Sequence, residues 1–191
     1  VDSLKSYKSI KVKNIIIILS GDITYSGNAL QFSNAKKLMG SLIVSLNKVF
    51  KCSCTVLVVP GNHDVNHADS TLSVTCFKEE KYSEYETGEY SKLNSFYNFA
   101  RLNHCFERSE MYFDIRRLTI SNCKIKVNLI NNGIFSTLDQ YKGLLYLPID
   151  CIDKLSDRED ADFVITIMHH APDFYSCLLY TSPSPRDLST S

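Results

Sequence analysis

The chain is 191 residues long, 44% hydrophobic and 22% charged, enough to bury one sizeable core and too apolar to be disordered throughout. Its 21 Lys and Arg balance 21 Asp and Glu, which removes any global electrostatic reason to bind nucleic acid or a membrane surface. The longest apolar run, Ile15 to Leu19, is far short of the ~20 residues of a membrane helix, no basic and apolar leader opens the sequence, and seven cysteines without a CxxC pair cannot all be paired within one chain; the expectation is a soluble protein of a reducing, cytoplasmic compartment.

Lys13 to Ser20 is a β-branched run without alternation, which predicts a strand buried on both faces. From Asn28 to Phe50 apolar residues recur every three or four positions, predicting an amphipathic helix that packs on the sheet. Thr55 to Val59 predicts a second buried strand, ended by Pro60-Gly61, so the chain opens with a βαβ unit. Residues 66–94 are polar and predict an insertion or lid, with at most a weak helix across Phe77 to Tyr90. The tyrosines at 82, 85, 90 and 97 are interleaved with glutamates, which argues against a base-stacking platform. Ser95 to Phe106 is helix-compatible, with His104 in a structural role, and Met111 to Ile120 and Lys124 to Ile130 predict a more solvent-facing pair of strands. Leu144 to Leu147 predicts a further strand stopped by Pro148, Asp150 to Leu155 a short helix, and Phe163 to Met168 a third buried strand running into His169-His170. Residues 177–191 are rich in Ser, Thr and Pro, and LLYTSPSPRDLSTS is similar to translated sequencing-adapter sequence. A non-native or disordered tail is therefore expected at 177–191 and the domain at 1–176.

Three polar clusters each sit at the carboxyl end of a predicted buried strand: Gly21-Asp22, Gly61-Asn62-His63-Asp64 and His169-His170. In an α/β sheet the loops beyond those ends converge on one edge, where ligands bind. Carboxylate, amide oxygen and imidazole nitrogen together suit Mn, Fe or Zn better than Ca, which prefers oxygen alone. Singly, each has a blander reading: Asp or Asn after a strand is usually a turn former, and a loop histidine is usually satisfied locally. Adjacent residues leaving a strand point in opposite directions, so one of His169 and His170 is expected to touch a metal. Cys52 and Cys54 read as buried free thiols, His67 as a solvated loop residue, and Asn131-Asn132-Gly133 foremost as a turn that could approach the site.

On GDITYSG, PGNHDVN and HHAP the chain resembles the calcineurin-like metallophosphoesterase superfamily, in its phosphodiesterase-like branch. The resemblance implies a layered α/β/β/α sandwich, represented incompletely, and phosphoester hydrolysis by a hydroxide activated between two divalent ions (Mn, Fe or Zn). It implies Asp22 as a bridging carboxylate, Asn62 and His169 as further metal ligands with His170 as the other candidate, and His63 as a catalytic imidazole oriented by Asp64. The family's DxH upstream of Asp22 and GHxH after His170 do not occur in this sequence. The expectation is a segment of an enzyme with an impaired site; the alternative is a non-catalytic regulatory or scaffold module that keeps the fold. The substrate class stays open among cyclic nucleotides, nucleic-acid ends, phosphoproteins and small phosphodiesters, with nucleic acid entering as substrate only.

Overall fold

Four consecutive isoleucines and a leucine form β1 (Asn14–Leu19), which pairs in parallel with β2 (Ser53–Val58) from Asn14 opposite Ser53 to Leu19 opposite Val58. This computed structural model describes residues 11–69, 91–102, 112–139, 141–143 and 145–175. The crossover is α1 (Ala29–Phe50): the side chain of Asn28 accepts the Gln31 N–H at 2.9 Å at its start, and Lys51 ends it in the left-handed conformation, donating its N–H to the Asn47 carbonyl. Phe32, Met39 and Leu46, seven residues apart, form its buried stripe. Phe32 meets Phe96 and Phe99 of α2 (Asn94–Leu102), with ring centroids 6.3 and 5.4 Å away.

The second sheet has the order β3 (Phe113–Ile120), β4 (Cys123–Ile130), β5 (Phe163–Ile167), antiparallel then parallel. Ser121 and Asn122 both take positive φ in the two-residue hairpin between β3 and β4, a turn whose twist matches the strands it joins. The last helix, α3 (Ile149–Ser156), leaves its C-terminal carbonyls to two buried side chains of β4: the Lys126 amine donates to the carbonyls of Lys154 (2.8 Å) and Asp157, and the Asn128 amide to that of Leu155 (2.9 Å). Three helices and two sheets among the described residues make this an α/β fold, and no described helix is long and apolar enough to cross a membrane.

Three expectations change. β1 and β5 are not buried on both faces; among the described residues each pairs along one side only, and Ile18, Phe163 and Ile165 are 47, 60 and 40% exposed. A β-branched run records the backbone preference of a strand, whereas its burial depends on neighbours that local sequence does not specify. Conversely β4, expected to face solvent, is the middle strand, and its Lys126 and Asn128 are buried because their polar ends meet helix carbonyls. At 144–147 the described pairing is a single bridge from Leu145 to Tyr175. The segments 77–90 and 103–106, His104 and the tail 177–191 lie outside the described residues.

Candidate active site

The chain turns sharply as it leaves β1: Gly21 and Asp22 have φ of +98° and +53°, and Asp is among the few non-glycine residues that tolerate this region. The turn is crowded. A methyl group at Gly21 would lie 2.5 Å from Nδ1 of His169 and 2.8 Å from the Gly61 nitrogen, and one at Gly61 would lie 2.3 Å from Oδ1 of Asp22. Glycine at both positions thus lets the ends of β1, β2 and β5 close on one another.

At the point of closure Oδ1 of Asp22 accepts the His63 N–H at 3.2 Å and faces Nε2 of His169 at 3.3 Å. The other ring nitrogen of His169, Nδ1, is 2.7 Å from the Ser20 carbonyl. A carbonyl only accepts, so Nδ1 carries a hydrogen, and in the neutral ring Nε2 turns its lone pair toward the carboxylate. The backbone is fixed as well: the His169 N–H donates to Oδ1 of Asn132 at 2.8 Å, and the Asn132 amide donates to the Tyr175 hydroxyl at 2.6 Å. Asn132 is 2% exposed, and burial pushes the Tyr175 phenol well above its ordinary range, so this chain of hydrogen bonds stays neutral.

After β2, Asn62 is buried; its amide nitrogen donates to the Leu138 carbonyl at 2.9 Å, leaving Oδ1 as the atom able to ligate, and its own carbonyl meets Nε2 of His67 at 2.7 Å. His67 is therefore a tie within the loop, half-buried rather than solvated. The His63 ring leans the other way, with Nδ1 3.0 Å from the Tyr25 carbonyl and its face stacked on the Tyr25 ring at 5.6 Å. Among the described residues its Nε2 has no hydrogen bond, and it lines the same cavity as Asp22.

Asp64 does something other than orient that imidazole. Fully buried, its carboxylate accepts the N–H groups of Ile23 (3.2 Å), Thr24 (2.8 Å) and Gly61 (3.0 Å) and the Thr24 hydroxyl (3.1 Å), fastening the loop after β1 to the loop after β2. Burial pushes its carboxyl above the ordinary carboxylate value, opposed by those donors. A three-residue turn from Asn62 to Asp64 points residue 64 back at the preceding amides, while residue 63 faces the cavity.

A model of the calcineurin-like phosphoesterase family matches residues 2–189, almost the whole chain. The chain belongs to this family. No curated protein and no solved structure gives a significant match. The matched range includes most of the segment 177–191.

As a calcineurin-like phosphoesterase the protein comes from a family that acts on phosphoesters with divalent metals, and its own residues can be tested for fit. Two lone-pair donors 3.3 Å apart, one on Asp22 and one on His169, repel unless a proton or cation lies at both. The separation is one that two ligands of a single ion adopt when each bond is about 2.0–2.2 Å. Anchoring of Nδ1 on a backbone carbonyl is the usual support for a metal-binding histidine. The donor set therefore fits. It is also small: among the described residues no three His, Cys, Asp or Glu side chains converge, and the third candidate is the amide of Asn62.

His170 lies beside this pair, its ring edge-to-face with that of His169 at 4.5 Å and stacked on Phe174 at 4.9 Å. Its Nε2 is buried without a hydrogen bond among the described residues, and burial, reinforced by His169 and opposed by Asp22, lowers its pKa to about 4, so it is neutral near pH 7. Cys52 and Cys54 are free and half-buried. Of the residues that build the site, Asn132 belongs to the turn expected as able to approach it, and the fold brings it to His169; Tyr175 had no sequence signal.

Proposed function

We propose that this chain carries an impaired form of a site for phosphoester hydrolysis, with divalent metal held by Asp22, Asn62 and His169, the phosphodiesterase-like chemistry that GDITYSG and PGNHDVN imply. The observation that carries the reading is the facing of Asp22 Oδ1 and His169 Nε2 at 3.3 Å with Nδ1 of the histidine already committed to Ser20. Bound divalent ions polarise phosphoryl oxygens and lower the pKa of a bound water toward neutrality, which supplies the nucleophile. The chain's own residues do the rest. Asp22 keeps a second carboxylate oxygen without a hydrogen bond among the described residues, which suits the bridging role between two ions. His63 has Nδ1 fixed on the Tyr25 carbonyl, so its Nε2, when protonated, can stabilise charge on the phosphoryl group or deliver a proton to the departing oxygen. The Thr24 hydroxyl, donating to the His63 carbonyl at 3.0 Å, ties the His63 backbone to the loop after β1.

The test is hydrolysis of bis-p-nitrophenyl phosphate and p-nitrophenyl phosphate by the purified chain with Mn(II). Turnover of the diester in preference to the monoester supports the diesterase reading, and His63→Ala should lower it by about 100- to 10,000-fold while Mn(II) affinity is kept. A second reading is a metal-binding module without catalysis. It is favoured by the single carboxylate–imidazole pair that converges among the described residues. Mn(II) binding at Asp22 and His169 with no hydrolysis of either ester would decide for it.

A further inference from the structure

Asp22 and His63 do not open directly onto solvent alone. They sit at one end of an open cavity of about 780 Å³ whose remaining wall is mainly apolar: Ile17 and Leu19 of β1, Leu38, Met39 and Leu42 of α1, and Phe99 of α2. Its size is that of a small-molecule site. At the rim stands Tyr25, 78% exposed, yet held in place by its ring stacked on His63 and its N–H donated to Oε1 of Gln31 at 3.0 Å. An aromatic ring fixed at the surface in this way is a preorganised stacking face.

Of the neutral polar residues Thr24, Gln31 and Asn34 that line the cavity, the first two are engaged elsewhere. Oε1 of Gln31 also accepts the N–H and hydroxyl of Ser26, and the Thr24 hydroxyl serves the His63 carbonyl, Asp64 and the Gly27 N–H. A sugar or polyol in this cavity would lose water from its hydroxyls and find few partners, a cost of about 1–3 kcal/mol per unpaired group by general experience. An aryl or alkyl group would lose nothing and gain burial.

We infer that the cavity between β1 and α1 is the subsite for the organic group of the substrate, and that this group is apolar and preferably aromatic, carried on a phosphoester whose phosphoryl end lies at Asp22 and His63. The inference rests on the phosphoester reading and narrows it: the preferred substrate presents a ring to Tyr25 and an apolar edge to Leu38.

The experiment is binding, read by isothermal titration of the full chain with and without Mn(II), using benzylphosphonate and methylphosphonate as non-hydrolysable probes. Benzylphosphonate should bind about tenfold or more tighter than methylphosphonate, the gain expected from burying one ring. Leu38→Gln, at a position of α1 that is 74% exposed, should remove most of that preference and leave methylphosphonate binding as it was, and Tyr25→Ala should remove the preference as well. Circular dichroism identical to that of the parent chain verifies that each variant is folded. Equal binding of the two probes, or a preference untouched by both substitutions, overturns the subsite and leaves the phosphoester site standing. That is also the result expected if another polypeptide segment fills the groove. Failure of both phosphonates to bind overturns the phosphoester reading and the subsite together.

Discussion

Asp22 and His169, at the ends of strands in two different sheets, face each other at 3.3 Å, and His169 is locked there by a hydrogen bond from Nδ1 to Ser20. In its neutral form, with the hydrogen on the far nitrogen, the imidazole offers the carboxylate a lone pair, an arrangement relieved by a cation bound between the two. Metal should therefore bind where the two meet. Asp22→Ala and His169→Ala are each expected to weaken Mn(II) binding by at least about tenfold, the lower bound seen when even supporting groups of a metal site are removed. Electron paramagnetic resonance of free Mn(II) measures it. Affinity unchanged in both variants would remove the basis for the site.

Asn132 secures the same histidine from behind, accepting its N–H and passing a hydrogen bond to Tyr175. In Asn132→Ala the buried His169 N–H and the Tyr175 hydroxyl lose their partner, which is expected to cost roughly 1–3 kcal/mol in urea unfolding and about 10- to 100-fold in Mn(II) affinity. Tyr175→Phe keeps the bond to His169, so it should lower stability while metal affinity stays close to that of the parent chain. If the two variants lost metal equally, Asn132 would be acting through the core and not through His169.

How much of this could be read from the residues differs from element to element. The helix over 29–50 was legible because a 3.6-residue apolar period is a local signal, and so was the placing of Gly21-Asp22, Gly61-Asn62 and His169 at strand ends, because strand termini follow from local composition. Whether β1 or β4 is an edge was not legible, since strand order is decided by contacts between residues far apart. The role of Asp64 escaped for a similar reason. Its neighbour His63 is adjacent in sequence, but a tight turn sends the two side chains in different directions and gives Asp64 to the amides of residues 23, 24 and 61.

That redirected carboxylate makes its own prediction. Asp64→Asn replaces one accepting oxygen by an NH2 group that meets N–H donors head-on, leaving buried amides unpaired. The expected loss is roughly 2–4 kcal/mol of unfolding free energy, since hydrogen bonds to a charged group are individually stronger than neutral ones. Urea titration reads the loss directly, and the ring-proton NMR chemical shifts of His63 at fixed pH should stay nearly constant in the folded variant. A large change at His63 with unaltered stability would restore an orienting role for Asp64.

Lys126 lies in the interior of the second sheet and is 1% exposed, with its amine spent on the carbonyls of Lys154 and Asp157 at the end of α3. Lys126→Met keeps the apolar stem and removes the donor. Two carbonyls are then left without a partner, for an expected loss of roughly 1–3 kcal/mol, with fraying of α3 visible as faster amide exchange over residues 153–157. A variant as stable as the parent would mean that water replaces the amine at that helix end.

Glu159 closes the same corner, pairing with Arg117 through two hydrogen bonds of 2.8 and 2.7 Å and approaching the Lys126 amine at 3.4 Å. The Arg117 guanidinium, with Lys126 beside it, holds the Glu159 carboxyl below its ordinary value of 4.5. A carboxyl with a lower pKa in the folded chain binds fewer protons than the unfolded chain in the interval between the two values, so stability rises with pH across that interval. The contribution of Glu159 is therefore complete above about pH 4.5 and is lost as pH falls through the folded-state value. Asp160, held down by Lys124, adds a term of the same sign below its own ordinary value of 3.8. The urea midpoint of the parent chain should accordingly drop on acidification below pH 4.5, and Glu159→Gln should flatten that drop while changing the midpoint little at pH 3. A variant whose midpoint falls as steeply as that of the parent would place the acid sensitivity in other carboxylates.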